Sequence, residues 1–135
     1  MASYNKFQSF VEALAEKKHD LGSDAITVAL CNAANAPAAT DAVLADLITV
    51  STANLDDVTP TVSSSGQSSG TYKLVLADLT MTASGTVGPF RYVVLYNDTA
   101  TNDELICWFD YGSEVTLASG DTFKLDFGTE LFSLA

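Results

Sequence analysis

Positive charge is scarce in this sequence. The chain has six Lys and Arg residues against 17 Asp and Glu residues, which gives a formal net charge of −11. Residues 1–23 are neutral overall, so the remainder of the chain carries the whole excess. Such a body repels phosphate backbones and anionic membranes. We therefore expect neither nucleic acid nor a membrane as a partner, and we favour a neutral or basic protein surface.

Catalytic and cofactor-binding signatures are also missing. The single histidine, His19, lies beside Lys17, Lys18 and Asp20 at the end of a predicted helix, and no GxSxG motif supplies a nucleophile. We interpret His19 as a solvated helix terminus. Zinc-ligand spacings and phosphate-binding glycine loops are absent as well. The sequence therefore predicts no enzyme activity, no catalytic residue, no cofactor and no metal.

Acidic residues occur in short groups whose spacing does not match known metal-binding or catalytic motifs. The run 97–104 resembles a calcium loop only weakly, because the central glycine and terminal glutamate of an EF-hand are missing. We predict a polar hairpin connection there, with weak calcium binding as the alternative. Adjacent pairs such as Asp56–Asp57 do not face each other across a cleft, as the carboxylates of a glycosidase must.

Cysteines and long apolar runs are few. Cys31 and Cys107 each lie inside an apolar run, which is typical of buried thiols, and a disulfide between them stays open as the alternative. No apolar run approaches the roughly 20 residues that a membrane span needs. The first residues lack the apolar region of a signal peptide. We expect synthesis in the cytoplasm as a soluble protein.

Apolar side chains are plentiful instead. Hydrophobic residues make up 47% of the 135 residues and charged residues 17%. We expect residues 1–135 to form a single domain that buries roughly two-thirds of its unfolded surface. The low charged fraction also indicates that a partner covers part of the apolar surface.

The N-terminal region predicts one helix. Aromatic and aliphatic residues recur at steps of three and four over residues 3–19, with Ser3 as a candidate N-cap and Gly22 as the stop. We divide the chain into a helical arm over residues 1–22 and a β-body over residues 23–135. The apolar stripe either packs on that body or docks on another subunit. The stripe consists of Tyr4, Phe7, Phe10, Val11 and Leu14.

The rest of the chain alternates between strand and turn patterns. We predict a helical turn at 42–47, a long polar loop or hairpin tip at 51–70, and a bulge near Ala77–Asp78. The tail LFSLA is a last strand or an anchor. The fold class is therefore mainly β: an antiparallel β-sandwich or flattened barrel of about seven to eight strands with one N-terminal α-helix. The predicted strands cover residues 24–32, 71–84, 89–96, 105–111, 114–117 and 122–127.

Four segments resemble a family of small virion proteins of tailed bacteriophages. They are YNKFQSFVEALAEKKHDLGSDAITVALCN, YKLVLADLTMTASG, GPFRYVVLYND and CWFDYGSEVTLASGDTFKLDF, and they leave out mainly residues 33–70. The resemblance implies a non-enzymatic structural protein, made in the host cytoplasm: a capsid cement or decoration protein on the virion surface, present in many copies or as a homo-oligomer, with the major capsid protein as partner. A tail or fibre-associated protein, with a carbohydrate-binding role on its exposed aromatics, is the alternative.

The resemblance brings no site residues with it, so candidate contacts come from the residue pattern. We predict three protein-interface elements: the helix stripe, the serine-rich loop Ser63–Ser69 and the C-terminal tail. For the stripe and the tail, packing in the chain's own core is the competing interpretation. The candidate interface residues are Phe7, Phe10, Leu14, Ser63, Ser69, Leu131, Phe132 and Leu134.

Overall fold

The fold is built on a pair of long antiparallel strands. The computed structural model describes residues 2–135, and within them nine strands and one α-helix occur. Short 3₁₀ turns occupy Ala33–Asn35 and Leu44–Asp46. In chain order the elements are β1 (Tyr4–Lys6), α1 (Ser9–Ala15), β2 (Ile26–Cys31), β3 (Val62–Ser68), β4 (Thr71–Leu76), β5 (Leu79–Thr82), β6 (Val87–Asn97), β7 (Leu105–Leu117), β8 (Thr122–Leu125) and β9 (Phe132–Leu134).

The strands form three antiparallel sheets. One sheet has four strands in the order β1-β7-β6-β2, a second has the order β3-β4-β9, and a third pairs β5 with β8. The hairpin of β6 and β7 forms the centre of the first sheet. The predicted fold class is confirmed: the protein is mainly β, sandwich-like, with a helix near its N-terminus.

Both faces of the four-stranded sheet are covered. Neighbouring residues along β2 and β6 alternate between two apolar clusters, as side chains in a strand must. Val28, Leu30, Val93 and Leu95 belong to the larger cluster, which also takes in the buried residues of β4, β5 and β8. The smaller cluster on the other face includes Ala29, Cys31, Val94, Leu105 and Phe7, with Leu44 and Leu47 packed against it.

The predicted helix over residues 3–19 is wrong in its extent. Tyr4–Lys6 is a strand that pairs with β7, with Tyr4 opposite Phe109, and the helix covers only Ser9–Ala15. Backbone pairing with the edge of β7 satisfies N–H and C=O groups that the sequence pattern assigned to a first helical turn. Lys17, with φ of 66°, takes the left-handed conformation after the helix, before Gly22 is reached.

Residues 2–22 are consequently part of the packed body and not a separate arm. Phe7 is fully buried and stacks at 4.6 Å between ring centroids against Trp108. Phe10 is 1% exposed in the larger cluster. Burial of each such ring stabilises the fold by about 1.5–3 kcal/mol.

Two further predictions about the middle of the chain are resolved. The turn expected at 42–47 occurs as the 3₁₀ turn Leu44–Asp46, and Val50 then pairs with Leu30 in an isolated bridge. The polar stretch 51–70 is not one long loop, because its second half is strand β3. That strand forms a hairpin with β4 through a turn at Ser69 and Gly70.

The bulge expected at Ala77–Asp78 is a change of sheet. Strand β4 belongs to the three-stranded sheet and β5 pairs with β8. The Asp78 carboxylate accepts a hydrogen bond from the Phe127 N–H at 3.1 Å and lies 3.6 Å from the Lys124 ammonium, which fixes the crossing.

The break predicted between the strands at 105–111 and 114–117 is likewise absent. Strand β7 runs without a break from Leu105 to Leu117, and the extra residues are accommodated as an irregularity in its pairing with β6. Gly112, with φ of 95°, allows that local distortion.

Candidate functional site

The predicted contact residues divide into buried and accessible ones. Phe7, Phe10 and Leu131 are 0%, 1% and 6% exposed, so core packing accounts for them and they are not available as free surface. Leu14 and Phe132 are half-buried, and Leu134 is 42% exposed. Ser63 and Ser69 are exposed on the β3–β4 hairpin.

The helix stripe and the tail, which are far apart in sequence, meet in space. Between α1 and β9 lies an apolar depression of about 510 Å³, which we call the helix–tail groove. Its base is Phe10, whose ring meets that of Phe132 edge-on at 5.3 Å, and the Tyr4 ring lies 6.4 Å from Phe132. The lining consists of Tyr4, Lys6, Phe10, Val11, Leu14, Ala15, Phe132, Ser133 and Leu134.

Two aliphatic side chains at this groove are unusually exposed. Val11 is 50% exposed on the outer side of α1, and Leu134 is exposed at the end of β9. Strand β9 pairs with β4 on one side only, so it is an edge strand with unpaired backbone groups on its other side. The groove therefore offers apolar area and a free sheet edge together, which are the two features that a protein partner uses.

The groove carries little charge. Lys6 is the charged side chain in its lining. Burial raises the pKa of the Tyr4 phenol far above its ordinary value, so Tyr4 stays neutral at physiological pH. The sequence pattern pointed to Leu14, Phe132 and Leu134, but it missed Val11 and Tyr4 as groove residues, although both belong to the periodic stripe.

The serine-rich hairpin does not join the groove. Strands β3 and β9 are the two opposite edges of the same three-stranded sheet, with β4 between them. The hairpin is ordered by its own polar contacts: Ser65 Oγ lies 2.9 Å from the Tyr72 hydroxyl, and Gln67 Oε1 accepts from the Gly70 N–H. It is a separate exposed surface.

A second apolar depression lies between β7 and β8. It measures about 200 Å³ and we call it the aromatic groove. Tyr111 is 54% exposed there, and its ring centroid lies 5.3 Å from that of Phe123. Phe109 and Phe127 also line it, together with Lys124.

A polar cluster, buried except for half-buried Asp24, connects the segment after α1 to the β6–β7 hairpin, and we call it the buried polar cluster. It consists of His19, Asp24, Asn97 and Glu104. The prediction that His19 is solvated is wrong, because the ring is 6% exposed and packs 5.2 Å from the Phe10 ring. Desolvation lowers the pKa of His19, although Glu104 and Asp24 act in the opposite direction. His19 Nδ1 lies 3.0 Å from Asn97 Nδ2, and Asn97 Nδ2 donates to Asp24 Oδ2 at 2.6 Å.

Two of the other acidic side chains make structural hydrogen bonds. Asp56 accepts from the Thr82 N–H, and Asp110 holds Arg91 through two hydrogen bonds of 2.8 and 3.1 Å. The polar connection predicted at 97–104 occurs between β6 and β7 as residues 98–104, because Asn97 is the last residue of β6. Over residues 2–135, no group of three or more His, Cys, Asp or Glu residues is arranged to hold a metal ion. In the same part of the chain, no helix has the length and apolar character to cross a membrane.

Cys31 and Cys107 are both free and fully buried, as the apolar runs around them predicted. They belong to the clusters on opposite faces of the four-stranded sheet, so the alternative of a disulfide does not apply. Burial raises the pKa of the Cys31 thiol to about 11 and that of Cys107 further. Neither thiol has the character of a nucleophile.

In a comparison with known proteins, no family model, no curated protein and no solved structure matches the chain. The resemblance to phage virion proteins therefore stays a prediction from the sequence.

Proposed function

We propose that the protein is a non-enzymatic structural component of a tailed-bacteriophage virion, a cement or decoration protein that binds and stabilises the shell of the major capsid protein. It acts by fitting between neighbours and not by chemistry. The observation that carries the proposal is the helix–tail groove, where two elements expected to contact a partner converge on one accessible apolar surface.

The construction of the groove suits a binding role of this kind. Its base is fixed by the rings of Phe10, Phe132 and Tyr4, which belong to three different elements. Side chains that core packing already holds in place lose little conformational entropy on binding. The free energy of binding is therefore less reduced by this cost than it is for a flexible surface of the same area. Val11 and Leu134 then supply the exposed aliphatic area that a partner would cover.

The distribution of charge favours a partner whose surface is less acidic than that of the protein itself. A net charge of −11 disfavours close approach of two copies in solution, while the groove itself is nearly uncharged. A neutral or basic shell surface meets no such barrier. Binding of many copies to one lattice then strengthens a modest individual contact through effective concentration.

The test is addition of purified protein to capsid shells that lack it, followed by quantification of bound copies by mass spectrometry and of shell stability by heating. We expect hundreds of copies per particle and a higher disruption temperature. Val11→Asp and Leu134→Asp, each of which places a carboxylate in the groove, should reduce occupancy at least about tenfold, because burying an unpaired charge costs more than about 1.4 kcal/mol.

Ile48→Asp is the matched control for these variants. Ile48 is 67% exposed and does not line the helix–tail groove, so the same change of charge there should leave occupancy unaltered. Equal binding by the groove variants and the wild type would contradict the assignment of the helix–tail groove as the binding surface. Copy numbers of six or twelve would place the protein in the tail.

A second candidate function rests on the aromatic groove. Tyr111 presents an exposed ring beside Phe123, an arrangement that sugars stack on, and this supports a tail-associated protein with a carbohydrate-binding role. On a glycan array, Tyr111→Ala should abolish binding while Tyr111→Phe, which keeps the ring, should retain it. An array on which the wild-type protein binds no glycan would exclude this function.

A further inference from the structure

The buried polar cluster has a hydrogen-bond arrangement that fixes its protonation state. Asn97 is fully buried, and its Oδ1 accepts from the backbone N–H groups of Thr99 at 3.0 Å and Ala100 at 3.1 Å. This identifies the other amide atom as the donor nitrogen. Its two hydrogens go to Asp24 Oδ2 and to His19 Nδ1.

His19 Nδ1 must therefore be an acceptor. Since both Asn97 hydrogens are directed outward from Nδ2, a hydrogen on His19 Nδ1 would oppose another donor at 3.0 Å. The ring is consequently neutral, with its hydrogen on Nε2. Asn97 cannot adapt by rotating its amide, because Oδ1 would then leave two backbone donors of the hairpin without partners.

We propose that His19 is a proton-sensitive latch: the neutral ring holds the segment 16–25 against the β6–β7 connection 98–103, and protonation releases it. The inference goes beyond the proposed function and does not depend on it. Its basis is the donor–acceptor pattern around a ring buried between two exposed segments.

The charged groups around the ring modulate the latch without replacing it. Glu104 just before β7 and Asp24 before β2 favour the imidazolium, and burial opposes it more strongly, so the pKa of His19 lies below the ordinary value of 6.5. From α1 the ring meets uncharged Phe10. The cleft of about 460 Å³ beside the cluster is lined by Lys17, Lys18, Asp20, Asp24, Thr99, Ala100, Thr101, Asn102 and Glu104.

Two buried polar atoms of the closed state lack hydrogen bonds. His19 Nε2 and Glu104 Oε2 are both buried, and neither has a hydrogen-bond partner among residues 2–135. A buried polar group without a partner costs about 1–3 kcal/mol, which opening to water relieves. The segment is otherwise attached to the hairpin by two bonds of Ala25, to Thr99 Oγ1 and from Asp98 N–H, both 2.9 Å.

Release of the segment 16–25 is expected to affect the helix–tail groove through the Phe10 ring. The Phe10 ring contacts His19 on one side at 5.2 Å and Phe132 on the other at 5.3 Å. Movement of the segment after α1 therefore removes one of the supports of the ring at the base of the groove. Acidification should loosen the helix end before it affects the central hairpin.

The sign of the effect follows from linkage. The open segment takes up a proton with the ordinary histidine pKa, and the closed state does so only at lower pH. As pH falls from 6.5 toward the pKa of the closed state, the ratio of open to closed forms rises by up to about tenfold per pH unit. Above 6.5 the ratio no longer depends on the protonation of His19.

The experiment is NMR on the intact protein, in which the one histidine gives unambiguous ring signals. At neutral pH the ring ¹⁵N shifts should report the Nε2–H tautomer. On acidification, amide protection factors within 18–25 and 98–103 should fall by up to about tenfold per pH unit, while those of β6 residues such as Val94 stay constant.

Two variants separate the latch from general acid sensitivity. His19→Gln keeps an acceptor for Asn97 but does not titrate, so the acid-dependent loss of protection should disappear. Glu104→Gln keeps His19 and removes a carboxylate that favours its charged form in the closed state. The pKa of the closed state then falls further, so the acid-dependent loss of protection should begin at the same pH, continue to lower pH and become larger. The Nδ1–H tautomer at neutral pH, or the same acid response in His19→Gln as in the wild type, would overturn the proposal.

Discussion

Phe7 and Phe10 illustrate how much a single residue's role depends on its surroundings. Three residues apart on a helix, they would lie on one face. In the structure Phe7 precedes α1 and packs with Trp108 in the smaller cluster, whereas Phe10 packs in the larger one. The sequence shows that both side chains are apolar. The pairing of β1 with β7 decides which apolar cluster each ring joins.

His19 is the residue for which sequence reasoning failed most clearly. Its neighbours Lys17, Lys18 and Asp20 are exposed, as the pattern predicted, and the ring alone turns inward. Its hydrogen-bond partner Asn97 and the nearby carboxylate Glu104 lie more than 75 positions away in the sequence. The residues next to His19 in the sequence do not predict such a contact.

The two thiols should be inert in the native protein. Cys31 and Cys107 are fully buried, and the raised pKa of each keeps it protonated at about pH 8. We expect no reaction with an aromatic disulfide reagent under native conditions and reaction of both thiols in concentrated guanidinium, followed by absorbance. Rapid modification of either thiol in the native state would contradict its burial in the core.

The Arg91–Asp110 pair should contribute to stability in a pH-dependent way. Hydrogen bonds from Arg91 and from the Gly112 N–H hold the pKa of Asp110 below its ordinary value of 3.8. A carboxyl whose pKa is lower in the folded state stabilises above its unfolded pKa, and this contribution is lost as pH falls below 3.8. Urea unfolding should show a smaller loss of stability on acidification in Asp110→Asn than in the wild type.

Glu16→Gln provides the control for that comparison, since it removes one exposed carboxylate that is not among the groups acting on Arg91 or Asp110. An identical acid response in Asp110→Asn and the wild type would show that the pair contributes nothing, which is the usual result for exposed ion pairs.

At the level of elements, pairing partners changed the lengths that local patterns suggested. Strand β7 continues through Gly112 and Ser113, where turn-forming residues predicted a break, because β6 pairs with it on both sides of the irregularity. Conversely, the continuous pattern over residues 71–84 is divided between two sheets at Asp78. Turn residues indicate where a chain is able to bend, and the neighbouring strand decides whether it does.

The β3–β4 hairpin allows a direct test of its turn. Gly70 has φ of 83° and open space where a Cβ would stand, so Gly70→Ala should cost about 1–2 kcal/mol through backbone strain alone. Gly66, in the middle of β3, also has open space but no left-handed φ. Gly66→Ala should therefore be neutral or stabilise by up to about 1 kcal/mol.

Urea denaturation of the two alanine variants measures the difference. Because both substitutions add the same methyl group in an exposed hairpin, the contrast isolates the conformation at the turn. Equal midpoints would mean that the hairpin contributes no stability to the rest of the fold.

For the whole molecule, the excess of carboxylates sets its behaviour in solution. At neutral pH the charge of −11 keeps copies apart, although Val11, Leu134 and Ile48 are exposed. Near the isoelectric point of about 4.1 that repulsion vanishes and the exposed apolar surfaces are free to associate.

We therefore expect sedimentation velocity to show a monomer at neutral pH and low salt, and association as pH approaches 4.1. Val11→Asp should suppress part of this association if the helix–tail groove is the surface involved, and Ile48→Asp serves as the comparison. Stable oligomers of unchanged size across the whole pH range would contradict the control of association by net charge.

The sequence by itself determined the β class, the buried strand predicted at residues 24–32 and observed at 26–31, the connections before and after β7, and the burial of both cysteines. Alternation of side chains and turn chemistry are local properties. Tertiary structure decided where the helix begins, which sheet β5 joins, that His19 is buried, and that the helix stripe and tail share one groove. Each of these depends on backbone and side-chain partners distant in sequence, and a free β-edge or a buried hydrogen-bond network outweighs local preference.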